Sequence, residues 1–190
     1  PNLSNCWITS IVLITLYQIP VADAGPDSSV CGKVYEMHAD FSIGSPKGKW
    51  SMVSGPSGLP PTFIDDTDPH TIVQVPLHGE YTFQWKEDNF HNQTCSTTDQ
   101  VTIYFIEIPD VNAGPDKFVC GEDTELEAIN STGTGTWLPA QAQISDWLDP
   151  HSATHHGLTG TNDNVEYIWQ EYNEYGGIQC VSYDSVNIVF

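Results

Sequence analysis

Hydrophobic and polar residues alternate along several short stretches of the chain. Residues 81–86 read Tyr-Thr-Phe-Gln-Trp-Lys, and residues 165–170 read Val-Glu-Tyr-Ile-Trp-Gln. Successive side chains of a β-strand point to opposite faces, so each stretch has one face for a core and one for solvent. Clusters of Gly, Pro, Ser and Thr lie between such stretches, as at 55–58 and 132–135. No stretch has the period of a helix, and the pattern therefore predicts an all-β chain of short strands separated by turns.

An apolar run at residues 7–19 precedes Ala22-Asp23-Ala24 and so resembles a signal peptide with its cleavage site. Two observations oppose that interpretation: no Lys or Arg precedes the run, and a similar segment lies in mid-chain, where no signal peptide can lie. The run is also too short to span a bilayer as a helix. We interpret it as a β-strand.

The chain contains an internal repeat. The string Ala-Gly-Pro-Asp, followed by Val-Cys-Gly, begins at residue 24 and again at residue 113, an offset of 89. Further landmarks recur in the same order: a Gly-x-Trp at 48–50 and 135–137, a Trp at 85 and 169, and a Cys at 95 and 180. The offset drifts by a few residues, as expected when loops between fixed strands differ in length.

The repeat predicts three segments. Residues 1–20 are the last strand of a preceding repeat, 21–108 form repeat 1, and 109–190 form repeat 2. About seven short strands in each repeat predict a two-sheet antiparallel β-sandwich of immunoglobulin-like size. If Pro1 is a true chain start, the leading strand must instead complete the sheet of another subunit, by donor-strand exchange.

Five cysteines with no Cys-x-x-Cys pair indicate disulfides formed in an oxidising compartment. The order of the repeat pairs Cys31 with Cys95 and Cys120 with Cys180. Cys6 then has no partner within the chain, and it either bonds to a missing upstream module or bridges to another subunit.

The chain is strongly acidic, with five Lys, no Arg and 25 Asp and Glu, for a formal charge of -20. Such a field excludes binding to nucleic acid or anionic lipid. No cofactor is certain, but Ca²⁺ is one interpretation of the carboxylates at the module joints, Asp23, Asp27, Asp110 and Asp116. The favoured alternative is that Asp27 and Asp116 hydrogen-bond local backbone amides at the Gly-Pro turn.

Residues 144–160 of the second repeat are expected to depart from the first, with Trp147 lacking a counterpart. Candidate contacts for a glycan or protein ligand lie there: Trp147, His151, His155 and His156. A transition-metal site is disfavoured because Pro150 and Gly157 oppose the helix that would align the histidines. Motifs of hydrolases, P-loop proteins and zinc proteases are absent from the sequence, which predicts that the protein is not an enzyme.

The ordered motifs resemble a known class of repeats. Ala-Gly-Pro-Asp-x-x-Val-Cys-Gly, Gly-x-Trp, Tyr-x-Phe-x-Trp, a second Cys and Asp-x-Val-Thr-Ile are similar to the PKD-like and Ig-like repeats of very long Bacteroidota surface proteins. Such repeats occur in gliding-motility adhesins and related proteins exported by the type IX system. The resemblance implies tandem β-sandwiches in a secreted cell-surface adhesin or extracellular filament, without catalytic residues. The expected partners are neighbouring repeats or identical subunits, and surface glycans or proteins are further expected partners.

Overall fold

The computed structural model describes residues 9–43, 47–56, 59–138, 143–155 and 164–190. These residues form fourteen β-strands and no α-helix, so the predicted all-β class is confirmed. It follows that the described ranges hold no helical segment capable of crossing a membrane.

The first sandwich contains seven strands. They are β1 (Ser28–Cys31), β2 (Val34–Glu36), β3 (Lys47–Ser54), β4 (Thr62–Phe63), β5 (Ile72–Gln74), β6 (Gly79–Asp88) and β7 (Ser96–Ile106). One sheet has the strand order β1-β7-β6-β3, and the other has the order β2-β5-β4.

The second sandwich repeats this plan. Its strands are β8 (Lys117–Phe118), β9 (Asp123–Glu125), β10 (Thr134–Leu138), β11 (Gln143–Ile144), β12 (Ala153–His155), β13 (Asn164–Tyr175) and β14 (Ile178–Val189). The sheets have the orders β8-β14-β13-β10 and β9-β12-β11. One pairing in each sandwich is parallel, β1 with β7 and β8 with β14, while the other pairs of strands are antiparallel.

Each core is centred on a pair of tryptophans from adjacent strands. Trp50 lies opposite Trp85 with 5.1 Å between ring centroids, and Trp137 lies opposite Trp169 with 5.0 Å. All four side chains are buried, as the alternating pattern predicts for residues that recur in both repeats. Gly48 and Gly135, two residues before Trp50 and Trp137, make room for the rings of Trp85 and Trp169, because a Cβ at either glycine would overlap the ring.

A buried glutamate lies beside each tryptophan pair. Glu87 accepts a hydrogen bond from Trp85 Nε1 (3.1 Å) and from the backbone N–H and hydroxyl of Ser42. Glu171 makes the same three contacts with Trp169 and Ser131. These carboxylates satisfy the indole and loop donors inside the sandwich, so they fasten the loop before β3 or β10 to the core.

The described part of the predicted leading strand does not form a β-strand in this structure. Residues 9–20 adopt no β-structure, and Ile11, Leu13 and Leu16 are exposed to solvent. A strand needs a neighbouring sheet edge for its backbone hydrogen bonds, and neither sandwich pairs with this segment. Near its end the segment is attached to the first sandwich, where Thr97 Oγ1 donates to the carbonyl oxygen of the buried Pro20 (3.0 Å).

Candidate functional site at the joint between the sandwiches

The hairpin between β13 and β14 reaches back to the first sandwich. Its turn lies at Gly176 and Gly177, whose φ values of 59° and 82° are in the left-handed region that favours glycine. The neighbouring Tyr175 ring stacks on Tyr104 of β7, with 3.6 Å between ring centroids and 6° between ring planes. The stacked rings make an aromatic contact between the two sandwiches.

A disulfide crosses the same joint. Cys31, at the end of β1, bonds to Cys180 in β14, with 5.5 Å between the Cα atoms and a sequence separation of 149. The predicted pairs, Cys31 with Cys95 and Cys120 with Cys180, are therefore wrong. Cys95 and Cys120 carry free thiols in the structure, and Cys6 lies outside the described residues.

Strand direction explains why the predicted pairs fail. Because β1 is parallel to β7, Cys31 lies opposite Ile106 at the end of β7, whereas Cys95 precedes the start of that strand. Eleven residues of strand separate those two ends by about 35 Å. A disulfide spans only about 4 to 7 Å between Cα atoms, so a bond within the sandwich is geometrically excluded.

The second sandwich has the same arrangement. The N–H of Val119 donates to the carbonyl of Val189 at the end of β14, which places the adjacent Cys120 at that end. Cys180 lies near the start of β14, nine residues before Val189 and so roughly 30 Å away. Each sandwich thus carries one cysteine at each end.

Polar contacts accompany the disulfide. Asn173 Nδ2 donates to the carbonyl oxygen of Glu107 in the linker (2.9 Å) and to Thr132 Oγ1 (3.3 Å). His78 lies on the edge of the same groove as Glu107 and Asn173. Burial lowers the pKa of His78, the charge of Lys33 adds to that effect, and the charge of Glu107 opposes it.

The linker contact recurs at the other end of the first sandwich. Asn89 Nδ2 donates to the carbonyl oxygen of Gln18 (2.8 Å), and Asn89 and Gln18 precede Asn173 and Glu107 by 84 and 89 residues, the same offsets as the repeat. Each linker therefore contacts the equivalent hairpin of the sandwich that follows it. The sequence prediction omitted these asparagines, although the repeat alignment contains the signal that identifies them.

The carboxylates predicted at the joints accept hydrogen bonds from the backbone. Asp27 Oδ1 accepts from the N–H of Thr102 (2.7 Å), and Asp116 Oδ1 accepts from that of Asn187 (2.8 Å). Each bond ties the segment before the first strand of a sandwich to its last strand. This agrees with the backbone hydrogen-bonding alternative, although the bonds run to a neighbouring strand and not within the Gly-Pro turn.

Asp23 and Asp110, the other two candidate Ca²⁺ ligands, do not join a cluster of metal ligands among the described residues. Asp23 Oδ1 accepts from the N–H of Gly25 (2.9 Å), and the neutral Asn112 makes the same contact with Gly114 (2.9 Å). Asp110 lies exposed in the linker. Within the described residues, no three His, Cys, Asp or Glu side chains come together as a metal-ligand set.

The turn that contains Trp147 does have a counterpart, contrary to the sequence prediction. Asp146 and Asp149 accept hydrogen bonds from the N–H groups two residues later, as Asp65 and Asp68 do in the first sandwich. The hydrogen bonds from the hydroxyl and N–H of Thr67 hold the pKa of the Asp65 carboxyl below its usual value.

The turns correspond at an offset of 81, with the shared pattern Asp-x-x-Asp-Pro-His at 65–70 and 146–151. Trp147 thus takes the place of Asp66, and His151 takes that of His70. Both ligand candidates lie on one turn, where the Trp147 side chain is 38% exposed and His151 is exposed. His155 ends β12, where its backbone pairs with Asp123, and His156 lies outside the described residues.

Comparison with known proteins gives matches in structure alone. No protein family and no curated protein matches the chain. An I-band fragment of titin aligns with 90% of this chain and 65% of its own, at 11% identity and a TM-score of 0.42. Immunoglobulin domains 1–4 of Sidekick-1 align over 89% of this chain and 48% of the Sidekick-1 chain, at 13% sequence identity and a TM-score of 0.41. Extracellular cadherin domains 3–6 of protocadherin gamma B2 align over 90% of this chain and 51% of the protocadherin chain, at 11% sequence identity and a TM-score of 0.37. The chain therefore spans less than two thirds of each of these structures.

Proposed function

We propose that the chain is a structural repeat segment of a long secreted cell-surface adhesin or extracellular filament, whose sandwiches are clamped to each other. The observation that carries this proposal is the Cys31–Cys180 bond across the joint, reinforced by the stacked pair Tyr104–Tyr175. A module that works alone gains nothing from a covalent bond to its neighbour, whereas a load-bearing array does. The resemblance to repeats of Bacteroidota gliding-motility adhesins supports the same role.

The chemistry of the bond supports an extracellular location. Disulfides form and persist in oxidising compartments, and the reduced thiols inside most cells would reduce the Cys31–Cys180 bond. The formal charge of -20 suits an exported surface protein, since like-charged chains repel one another and stay apart in solution.

The leading segment fits an array with further modules. Val12, Ile14 and Leu16 lie 89 positions before three buried residues of β7, which are Val101, Ile103 and Phe105. We therefore propose that residues 1–20 supply the last strand of a preceding repeat, with repeats at 21–108 and 109–190. Both described sandwiches already contain their own seventh strand, so neither offers the open groove that donor-strand exchange between copies would need.

The disulfide gives the proposal a mechanical test. When the chain is pulled from its two ends, force passes from Cys31 to Cys180 through the sulfurs, so the segment between them, a sequence separation of 149, cannot extend. Reduction releases this segment and should add about 500 Å of contour length at up to about 3.5 Å per residue. Single-molecule stretching with and without reductant measures this gain.

Two variants serve as controls for the stretching experiment. Cys31→Ser should extend like the reduced protein in the absence of reductant. Cys95→Ser, which removes a thiol that is free in the structure, should extend like the oxidised wild type. Equal contour lengths with and without reductant would contradict the proposal.

A second candidate function is adhesion through the turn of the second sandwich. Trp147 and Leu148 are exposed side by side there (38% and 68%), where the first sandwich has Asp66 and Thr67. Exposed aromatic rings stack on sugars and anchor protein contacts. Binding of the full chain to a glycan array, lost on Trp147→Asp and retained on Asp66→Ala, would support this role, and binding that survives Trp147→Asp would exclude this turn.

A further inference from the structure

The two free thiols occupy the same places as the two bonded ones. Cys120 follows the first strand of its sandwich, as Cys31 ends β1, at an offset of 89. Cys95 lies in the hairpin between β6 and β7, and Cys180 lies beside the tip of the equivalent hairpin, at an offset of 85. Each sandwich therefore presents one cysteine towards the module before it and one towards the module after it.

We propose that Cys95 and Cys120 form the disulfides of two further joints. Cys95 bonds to the first cysteine of the preceding module, and Cys120 bonds to the second cysteine of the following module. Every joint of the array then carries the bond that Cys31 and Cys180 make. This inference rests on the proposed function, since it requires neighbouring modules of the same kind.

The hairpin that carries Cys95 has the same arrangement as the hairpin that carries Cys180 at the joint between the two sandwiches. The carbonyl of Cys95 accepts a hydrogen bond from the N–H of Asn89 (2.9 Å), and Asn173 lies opposite Cys180 in the strand register. The side chains of Asn89 and Asn173 both bind the carbonyl of the incoming linker, at Gln18 and at Glu107. The preceding linker thus occupies the position from which a preceding module would present its first cysteine to Cys95.

The position of Cys120 also matches its bonded counterpart. Glycines with positive φ follow both first cysteines, at Gly32 (88°) and Gly121 (127°), and this conformation lets the chain leave the strand at the cysteine. Cys120 is exposed and Cys95 is partly exposed, so both thiols are accessible to a partner.

The bond forms by two exchanges with a disulfide oxidant such as glutathione disulfide. The Cys120 thiolate attacks one sulfur of the oxidant, forms a mixed disulfide and releases one glutathione thiol. The thiolate of the neighbouring cysteine then attacks the Cys120 sulfur and releases the second. Two cysteine thiols are oxidised to one disulfide while glutathione disulfide is reduced to two thiols.

The test adds a third module to the full chain. Phe190 corresponds to Phe105 at an offset of 85, so a second copy of residues 106–190 placed after Phe190 continues the chain in register. The added copy carries Tyr183→Phe, at a side chain that is 59% exposed, so that its Cys180 peptide differs in mass. The protein is folded with glutathione disulfide, alkylated, cleaved at aspartate and analysed by mass spectrometry without reduction.

The expected result is two linked peptides: Cys31 with the unmarked Cys180, and Cys120 with the marked Cys180. The Cys120 peptide occurs once in the original chain and once in the added copy. Its alkylated amount should fall to about half, because the tethered module presents its thiol to the original Cys120 at high effective concentration while Cys120 of the added copy stays free. Cys120→Ser in the original chain should abolish the marked link, and the same change in the added copy should leave it intact.

Two outcomes separate this inference from the proposed function. If Cys31 is linked to the unmarked Cys180 while the marked Cys180 is not linked to Cys120, the inference is overturned and the proposed function stands. If Cys31 and Cys180 are not linked, the clamped joint itself is absent, and both the proposed function and the inference fail.

Discussion

The two sandwiches share a frame of hydrogen bonds, made by the buried glutamates and by the aspartates of the turns, but they differ in some core and exposed side chains. Glu87 and Glu171 bind the same buried donors, and the turns at 65–70 and 146–151 are closed by the same aspartates. Inside that frame, Val73 is replaced by Thr154, whose hydroxyl pairs with the hydroxyl of Tyr167. The comparison indicates that groups satisfying buried backbone and indole donors are fixed by the fold, whereas apolar volume and exposed positions are free to vary.

The largest expected effect comes from the shared frame. Replacing Glu171 by Ala leaves the Trp169 indole N–H and two donors of Ser131 without their acceptor, and it should lower the free energy of unfolding of the second sandwich by about 4 kcal/mol. Glu87→Ala should do the same in the first sandwich. Denaturant unfolding followed by tryptophan fluorescence measures both losses.

Gln at the same positions is the matched control for this prediction. It keeps one carbonyl oxygen for the indole and much of the side-chain volume, so the loss should be clearly smaller than with Ala. If only one of Glu87→Ala and Glu171→Ala lowers the free energy of unfolding of its sandwich, the two glutamates are not equivalent and the prediction is wrong.

Much of the frame could be predicted from sequence, and the joint could not. Alternation identified Trp85 and Trp169 as core residues because the period of a strand is a local property. The disulfide depends on whether the first strand runs parallel or antiparallel to the last, which sequence offsets do not contain. The parallel pairing places Cys31 and Cys95 at opposite ends of one sandwich.

The turn of Trp147 was missed for a different reason. Shorter loops reduce the offset between the two turns from 89 to 81, and Trp147 differs in chemistry from Asp66, so the two turns do not align at the offset of the other landmarks. The aspartates that close the turn carry the signal, since Asp side chains that accept local backbone hydrogen bonds define such turns.

An intermediate effect is expected where the cores differ. Tyr167 is buried, and its hydroxyl contacts Thr154. Thr154→Val should leave that hydroxyl without its partner and destabilise the second sandwich by about 2 kcal/mol. Adding Tyr167→Phe removes both polar groups and recreates the Val-Phe pair that the first sandwich has at Val73 and Phe83, so the double variant should recover most of the loss. A double variant as unstable as the single one would contradict this explanation.

The same tyrosine predicts a dependence on pH. Burial raises the pKa of Tyr167, and the hydrogen bond from Thr154 only partly opposes that effect. Because the folded protein holds the phenol neutral where the unfolded chain ionises, its stabilising effect is complete below the ordinary pKa of about 10 and is lost as pH rises above it. Tyr167→Phe should therefore reduce the decline in stability of the second sandwich above that pH. Unfolding curves taken between neutral pH and about pH 11 would show the difference.

The smallest effects are expected at the exposed turn position. Asp66 pairs with Lys49 at 2.9 Å, but both side chains are well exposed, so Asp66→Ala should change the free energy of unfolding by no more than about 0.5 kcal/mol. Trp147→Asp, which installs the residue of the first sandwich, should cost only about 1 kcal/mol, because the turn is closed by Asp146 and Asp149 and not by the ring. Thermal unfolding of both variants checks this. A loss of several kcal/mol on Trp147→Asp would show that the ring belongs to the core and would remove it as a candidate ligand contact, whereas a small loss leaves its exposed face available for binding.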